Sequence, residues 1–378
     1  MQSQSLRADL RVDAPNSARV VERRLRRFRP ELQCAVRSLA RRHPRLADLA
    51  ASFPALLVAL AVPRAGFKRD AVVARVIAGA PLAELARAAA IPFWLRKLDP
   101  EFFSGEVPQL PDNNDFCRRI MNCMPHSPAL GPIWLDAAAN TVAWGHEDLA
   151  IWVARSLAQK SSGLHVNRLP LIWLWGWFSG QPHSHAYTLI ERPWTPFMQG
   201  KTALAAADKW LTEVALYANM GEEPLNDMWL QPGSVDGYEF VPLRSISDIT
   251  QEARVMRNCV RSYGDYFVHD CSRLWSVQKS GERVATLEIG CRGGDPLLNV
   301  FELKAVANKD VSKDVWWAAR RWLHSHDLRQ LNVKPLDWNT APLPRKHWFK
   351  LWKPYWLAKR AVPAWLPLNP SRNALDAL

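Results

Sequence analysis

An α+β fold, predominantly helical, follows from three observations. Apolar residues recur at helical spacing through most of the chain ahead of Phe240, in segments that prolines repeatedly interrupt. Three short runs of alternating character follow between Arg273 and Lys304, separated by glycine-containing turns. Proline, at 28, outnumbers glycine, at 17, which suits many short helices with marked ends. The chain has 378 residues, about two ordinary domains. With 48% hydrophobic and 22% charged residues it is globular, and a wholly disordered chain is excluded.

Residues 1–45 read as a basic helical arm. Val21, Leu25 and Phe28 lie at helical spacing, while Arg23, Arg24, Arg26, Arg27 and Arg29 fill the rest of the circumference. Such a helix either rests on a solvated face or lays its guanidinium groups along phosphates. An all-helical region, residues 46–236, comes next, with Pro54, Pro63 and Pro81 at helix boundaries. Within it, residues 79–98 have the outline of a helix-turn-helix. Ala86 allows a close crossing, Ile91 plugs the turn, and Trp94, Arg96 and Lys97 decorate the second helix. Ala90 replaces the usual turn glycine, and the same spacing also suits ordinary helix packing. Residues 101–114 are a loop, broken by Pro108, Pro111 and the run Asp112, Asn113, Asn114. Helical patterns resume over residues 133–157 and 169–179. The stretch 172–178 is apolar all round, hence a buried helix. His183 and His185 have no cysteine or carboxylate nearby, too few ligands for a metal. Residues 202–220 form an amphipathic helix ended by Gly221.

The pattern changes near Phe240, and residues 237–330 read as a small α+β domain. A helix is expected over about residues 248–263, with Ser247 or Asp248 as its cap and Glu252 in its first turn. Strands are expected at 273–279, 284–289 and 297–304, joined by turns at Ser280-Gly281-Glu282 and at residues 292–295, as an antiparallel meander. A last helix, about 312–328, sets Val315, Trp316, Ala319, Trp322 and Leu323 against the sheet. In the middle strand Ala285, Leu287 and Ile289 share one face, Thr286 and Glu288 the other. The apolar face takes the helix, which turns Glu288 toward solvent or a cleft. In the third strand Leu298, Val300, Glu302 and Lys304 oppose Asn299, Phe301 and Leu303. Neither face is cleanly polar, so the register stays open.

Four ordered motifs in this region carry a resemblance: Met256-Arg-Asn-Cys-Val-Arg-Ser-Tyr263, Arg273-Leu-Trp-Ser-Val277, Ala285-Thr-Leu-Glu-Ile289 and Phe301-Glu-Leu-Lys-Ala-Val-Ala-Asn308. Together they resemble the PcfJ-like domain family, associated with conjugative plasmids and other bacterial genomes. The resemblance covers about residues 238–330. It implies a small α+β domain behind a variable helical region, and a setting in mobile-element or DNA biology, without a biochemical activity. Cys259, Val260, Tyr263, Glu288 and Asn308 match the family pattern. Asn258 stands where a histidine is frequent, and Glu302 and Ala305 where a glutamine and a glycine are frequent.

Forty-nine basic against thirty-six acidic residues give a formal charge of +13, which points to an anionic partner. Nucleic acid is the expected one, DNA rather than RNA, with protein partners a further expectation. In the basic aromatic tail, residues 331–378, Arg345, Lys346, Lys350, Trp352 and Lys353 alternate cations with rings. That pattern suits unpaired bases on a phosphate backbone, an anionic membrane surface, or tryptophans packed on the body of the protein. Cys259, Tyr263, Glu288, Glu302, Lys304 and Asn308 are the candidate site in the α+β domain. Glu288 is the general base or the anchor for a ribose or base edge, and Lys304 steadies a phosphate. A nucleophilic Cys259 needs a histidine, His269 or His324, brought close by the fold. No nucleotide-binding glycine loop, H-E-x-x-H or zinc spacing occurs, so no metal and no cofactor is expected. Six scattered cysteines without a C-x-x-C pair fit a reducing cytoplasm. The longest apolar run, residues 49–62, is broken by Ser52 and Pro54 and is too short to span a bilayer. Three functions are consistent with this reading. The first is a nucleic-acid-associated accessory protein held by phosphate contacts. The second is an enzyme on a nucleotide or nucleic acid centred on Glu288, and the third a protein-interaction module.

Overall fold

Prolines open three helices near the start of the chain. Pro30, Pro44 and Pro54 lie in the first turns of helices Pro30–Ala40, Pro44–Ser52 and Pro54–Ala61, where a missing N–H removes no helical hydrogen bond. A computed structural model describes residues 14–159, 162–291, 298–328, 331, 333 and 343–378. Among these, seventeen α-helices and one five-stranded antiparallel sheet give an α+β, predominantly helical fold. The chain divides into two units, residues 1–177 with 194–204 and residues 178–193 with 205–378. The all-helical region expected over 46–236 is thus shared between the two, and the tail belongs with the α+β domain.

The first unit is all-helical. Leu25 and Phe28 are buried in the same core as Leu56, Leu57 and Trp134, so the arginine-rich helix Ala14–Leu25 is docked and is no free arm. Residues 1–13 of the expected arm lie outside the described residues. Helix Leu82–Ala89 ends at Ala90, which takes the left-handed conformation that a glycine would take more easily. The second helix expected there is a single 3₁₀ turn, Phe93–Lys97, with Trp94 and Leu95 buried. Five residues with a buried tryptophan are no groove-reading helix, so the helix-turn-helix expectation is corrected. Trp173, Trp175 and Trp177 of helix Leu169–Ser179 are buried, as the all-round apolar pattern requires.

The second unit is a sheet between two helical layers. Its strands run in chain order: β1 (Gly233–Val235), β2 (Tyr238–Pro242), β3 (Ser272–Lys279), β4 (Glu282–Gly290) and β5 (Asn299–Lys304). The turns Asp236-Gly237 and Ser280-Gly281 have positive φ at both residues, the requirement of the tightest right-twisting hairpins. The turn expected at 292–295 lies outside the described residues. One face of the sheet carries Trp275, Val277, Ala285, Leu287 and Ile289. These pack on Val315, Ala318, Ala319, Trp322 and Leu323 of helix Lys313–His324, with Trp322 stacked 4.4 Å from the Phe240 ring. Trp316, expected on that stripe, is exposed instead.

The opposite face is covered by helix Ile246–Met256, a 3₁₀ turn at Val260–Tyr263 and helix Gly264–Val268. The single helix expected over 248–263 is therefore broken. Arg257 adopts the left-handed conformation and ends it, and its cap is Ser245, with Asp248 completing a capping box. The tail forms helix Arg345–Lys359, whose Trp348, Leu351, Trp352 and Tyr355 are buried. Trp352 lies against Phe178 and Trp210. Residues 334–342 of the tail lie outside the described residues.

Candidate functional site

Strand alternation builds the floor of a cleft on the second unit. On β4, Thr286 and Glu288 point away from the helix Lys313–His324, and on β3 Ser272, Leu274 and Ser276 stand beside them. On β5 the alternation is interrupted. Glu288 pairs with Glu302 and Leu287 with Leu303, but Ile289 pairs with Val300, so Phe301 is an extra, bulged residue. The bulge settles the register left open by the sequence. Glu302 and Lys304 share the face of Glu288, while Leu298 and Leu303 go to the apolar core.

The break after Met256 supplies the wall. Because the helix stops at Arg257, Asn258 and Cys259 sit at the rim and the 3₁₀ turn carries Tyr263 over the strands. Tyr263 Oη lies 3.3 Å from Oε2 of Glu288 and 3.3 Å from Oε2 of Glu302, so one phenolic proton serves two acceptors. Burial, reinforced by the two carboxylates, raises the pKa of Tyr263 well above that of a free phenol, so it remains a donor. Ser272 Oγ donates to the other oxygen of Glu288 at 3.0 Å. Glu288 is 3% exposed, and donors on both oxygens fix its orientation. Behind it runs a second chain. Asn258 Nδ2 donates to Thr286 Oγ1 at 2.9 Å, and Thr286 donates to the fully enclosed Glu252 at 2.7 Å. Arg283 Nε pairs with the far oxygen of Glu252 at 2.8 Å, out of line for a hydrogen bond. Burial raises the pKa of Glu252.

Cys259, Tyr263, Glu288, Glu302, Lys304 and Asn308 all line this narrow cleft, whose free interior is about 10 Å³. They come from three chain segments that the sequence separates by up to fifty residues. Two details differ from expectation. Cys259 and Tyr263 do not share a helix face, and no histidine lines the cleft among the described residues, which removes the activator a thiolate nucleophile needs. His269 is buried elsewhere, its Nδ1 2.7 Å from the Asp265 carbonyl. The Lys304 ammonium pairs with Asp310 at 2.9 Å and so is engaged rather than waiting for a phosphate. Sequence reasoning missed Ser272, whose signal was its place two residues before Leu274 in the alternation, and the Glu252–Arg283 pair, separated by thirty-one positions. Among the described residues no cluster fit for a metal ion occurs.

The basic candidates of the arm and the tail are not among the residues that line the cleft. Arg26 pairs with Glu22, Arg27 with Asp99 and Glu101, and Arg29 with Glu31; Arg23 and Arg24 are exposed. In the tail, Lys350 pairs with Glu222 at 2.6 Å, Arg345 lies over the Phe349 ring, and Lys346 and Lys353 are exposed. Trp352, expected to stack on bases, has no exposed surface and is a core residue. No family model, curated protein or solved structure matches the chain. No described helix is long and apolar enough to cross a membrane.

Proposed function

We propose that the chain acts on a nucleotide or nucleic acid through the cleft of its second unit, with Glu288 as the residue that meets the ligand. The observation that carries this reading is the doubly hydrogen-bonded Glu288, held under Tyr263 and facing Glu302 across the strands. A fixed carboxylate accepts hydrogen bonds and repels phosphate. It therefore takes the donor-bearing part of such a ligand, a sugar hydroxyl or a base amino group. The interior has room for about one water-sized group, so a single hydroxyl or amino group of the ligand is what enters. Glu288 is then either an anchor or the base that removes a proton from a hydroxyl. The resemblance of the four motifs to PcfJ-like proteins adds a setting in mobile-element DNA biology, and six free thiols fit a cytoplasmic one.

The test incubates the purified chain with a panel of nucleotides and with single-stranded DNA and RNA, following binding and product formation. Glu288→Gln should lower turnover by about a hundredfold or more while leaving the melting temperature near that of the wild type. The productive ligand should also shield Cys259, an exposed thiol at the rim, from alkylation. No ligand protecting Cys259, or equal binding and turnover in Glu288→Gln, contradicts the reading.

A second reading, phosphate-dominated association without chemistry, is favoured by where the charge lies. The first unit holds twenty-five Lys and Arg against fifteen Asp and Glu, a net +10; the second holds twenty-four against twenty-one, a net +3.

A further inference from the structure

A hollow of about 590 Å³ opens in the first unit, remote in sequence from every motif discussed so far. One side is the last turn of helix Glu147–Ala158, bearing Arg155 and Ser156, with Gln159 just past its end; the other is residues 197–201, where helix Gly200–Met220 begins. The second side is firmly placed. Trp152 Nε1 donates to the Met198 carbonyl at 2.7 Å and Arg155 Nη2 to the Pro196 carbonyl at 2.5 Å. At Gly200 a Cβ would stand 2.5 Å from the Ser162 carbonyl oxygen, so the helix start fits closely against that loop.

Three features make the hollow a site. Arg155 and Lys201 are its cations, no carboxylate is among its described lining residues, and the first turn of helix Gly200–Met220 carries no acidic side chain. The helix N-terminus adds partial positive charge on the same side. Ser156, 5% exposed, lines the hollow and offers a hydroxyl there. A hydroxyl can donate to an anion's oxygen. Phe197, between the pinned Pro196 and Met198, is 91% exposed at the rim, where its face meets solvent instead of other side chains.

We propose that this hollow binds the phosphate of an unpaired nucleotide, the anion lying among Arg155, Lys201 and Ser156 and the base stacking on Phe197. The volume is in the range of small-molecule sites, and stacking on an aromatic ring tolerates any base. The site is independent of the Glu288 cleft, and the phosphate belongs either to a free mononucleotide or to a single strand.

Calorimetric titration of the full chain with adenosine 5′-monophosphate, inorganic phosphate, adenosine and a thymidine tetranucleotide tests the proposal. The monophosphate should bind one to one and more tightly than adenosine. Lys201→Glu should weaken it by about tenfold or more, and Phe197→Ala by about tenfold while leaving inorganic phosphate unchanged. Both side chains are exposed, so neither variant threatens the fold. Equal affinity for the mononucleotide and the tetranucleotide identifies a free nucleotide as the ligand; tighter tetranucleotide binding identifies a strand. Glu288→Gln should leave this binding as it is, so failure of the cleft reading does not remove it. Absence of monophosphate binding, binding that survives both Lys201→Glu and Phe197→Ala, or binding lost in Glu288→Gln alone overturns the proposal.

Discussion

Glu252 has no exposed surface, and its burial raises the energy of its charged form. Arg283 on one oxygen and the Thr286 hydroxyl on the other offset that penalty. Replacing Glu252 with Ala leaves a partly buried guanidinium without its partner and removes the acceptor that orients Thr286, and through it Asn258. The expected cost is about 3 kcal/mol, read from urea unfolding; a loss below about 1 kcal/mol would show that the pair is not coupled to the fold. Residues of this kind mark the limit of sequence reading. Glu288, Tyr263 and Asn308 were legible because short motifs surround them. Ser272 and Glu252 were not, since a serine and a glutamate are ordinary in a strand or a helix until pairing across the sheet gives them partners. Trp352 failed in the other direction. Its neighbours in sequence are lysines, but its neighbours in space are Phe178 and Trp210.

At the scale of elements, β3, β4 and β5 were legible as runs of six to nine residues set off by glycine-containing turns, although the bulge at Phe301 breaks the alternation of β5. β1 and β2 were not: they have three and five residues, and β2 ends on Pro242, although Asp236-Gly237 is a hairpin signal in plain sight. The helix expected over 248–263 overran its end because nothing before Arg257 forbids continuation; the left-handed turn there serves the cleft. Helix Arg345–Lys359 provides an element-scale prediction. Tyr217 stands between the rings of His185, at 4.0 Å, and His347, at 5.6 Å. Burial lowers the pKa of both histidines, helped by Lys350 at His185 and Lys346 at His347. Glu222, 3.6 Å from His185, opposes this weakly because it is already paired with Lys350. The folded state thus takes up these protons only at a lower pH than the unfolded chain does. Stability is full above the ordinary histidine range and declines as pH falls through about 6.5. The melting temperature should drop between about pH 7 and pH 5, and the double variant His185→Gln, His347→Gln should flatten that drop. An equal slope in the variant would assign the acid sensitivity to other groups.

At the scale of the whole molecule, the sequence showed a basic protein but not where the excess sits. An arm of five arginines and a cationic tail looked like the polyanion surface. Folding gives most of those arm arginines carboxylate partners, Arg27 from Asp99 and Glu101 more than seventy positions away, and turns the tail's aromatic face inward. Linear charge density is therefore a poor guide here, because a partner distant in sequence neutralises a cation as well as a near one does. What survives is the sum over each unit, +10 and +3, and with it a prediction that needs no assigned patch. Any single strand bound through the first unit releases counterions, so the logarithm of its affinity falls linearly with the logarithm of salt concentration, by about 0.7 per phosphate contact. Arg23 and Arg24 are exposed on helix Ala14–Leu25, whereas Arg26 and Arg27 are paired. If the first pair faces phosphates, Arg23→Ala with Arg24→Ala should reduce the slope by about 1.4, and the corresponding change at Arg26 should reduce it by less. Fluorescence anisotropy across a salt series measures both slopes. An affinity that is flat from low to high salt would leave the surplus charge without a polyanion to explain it.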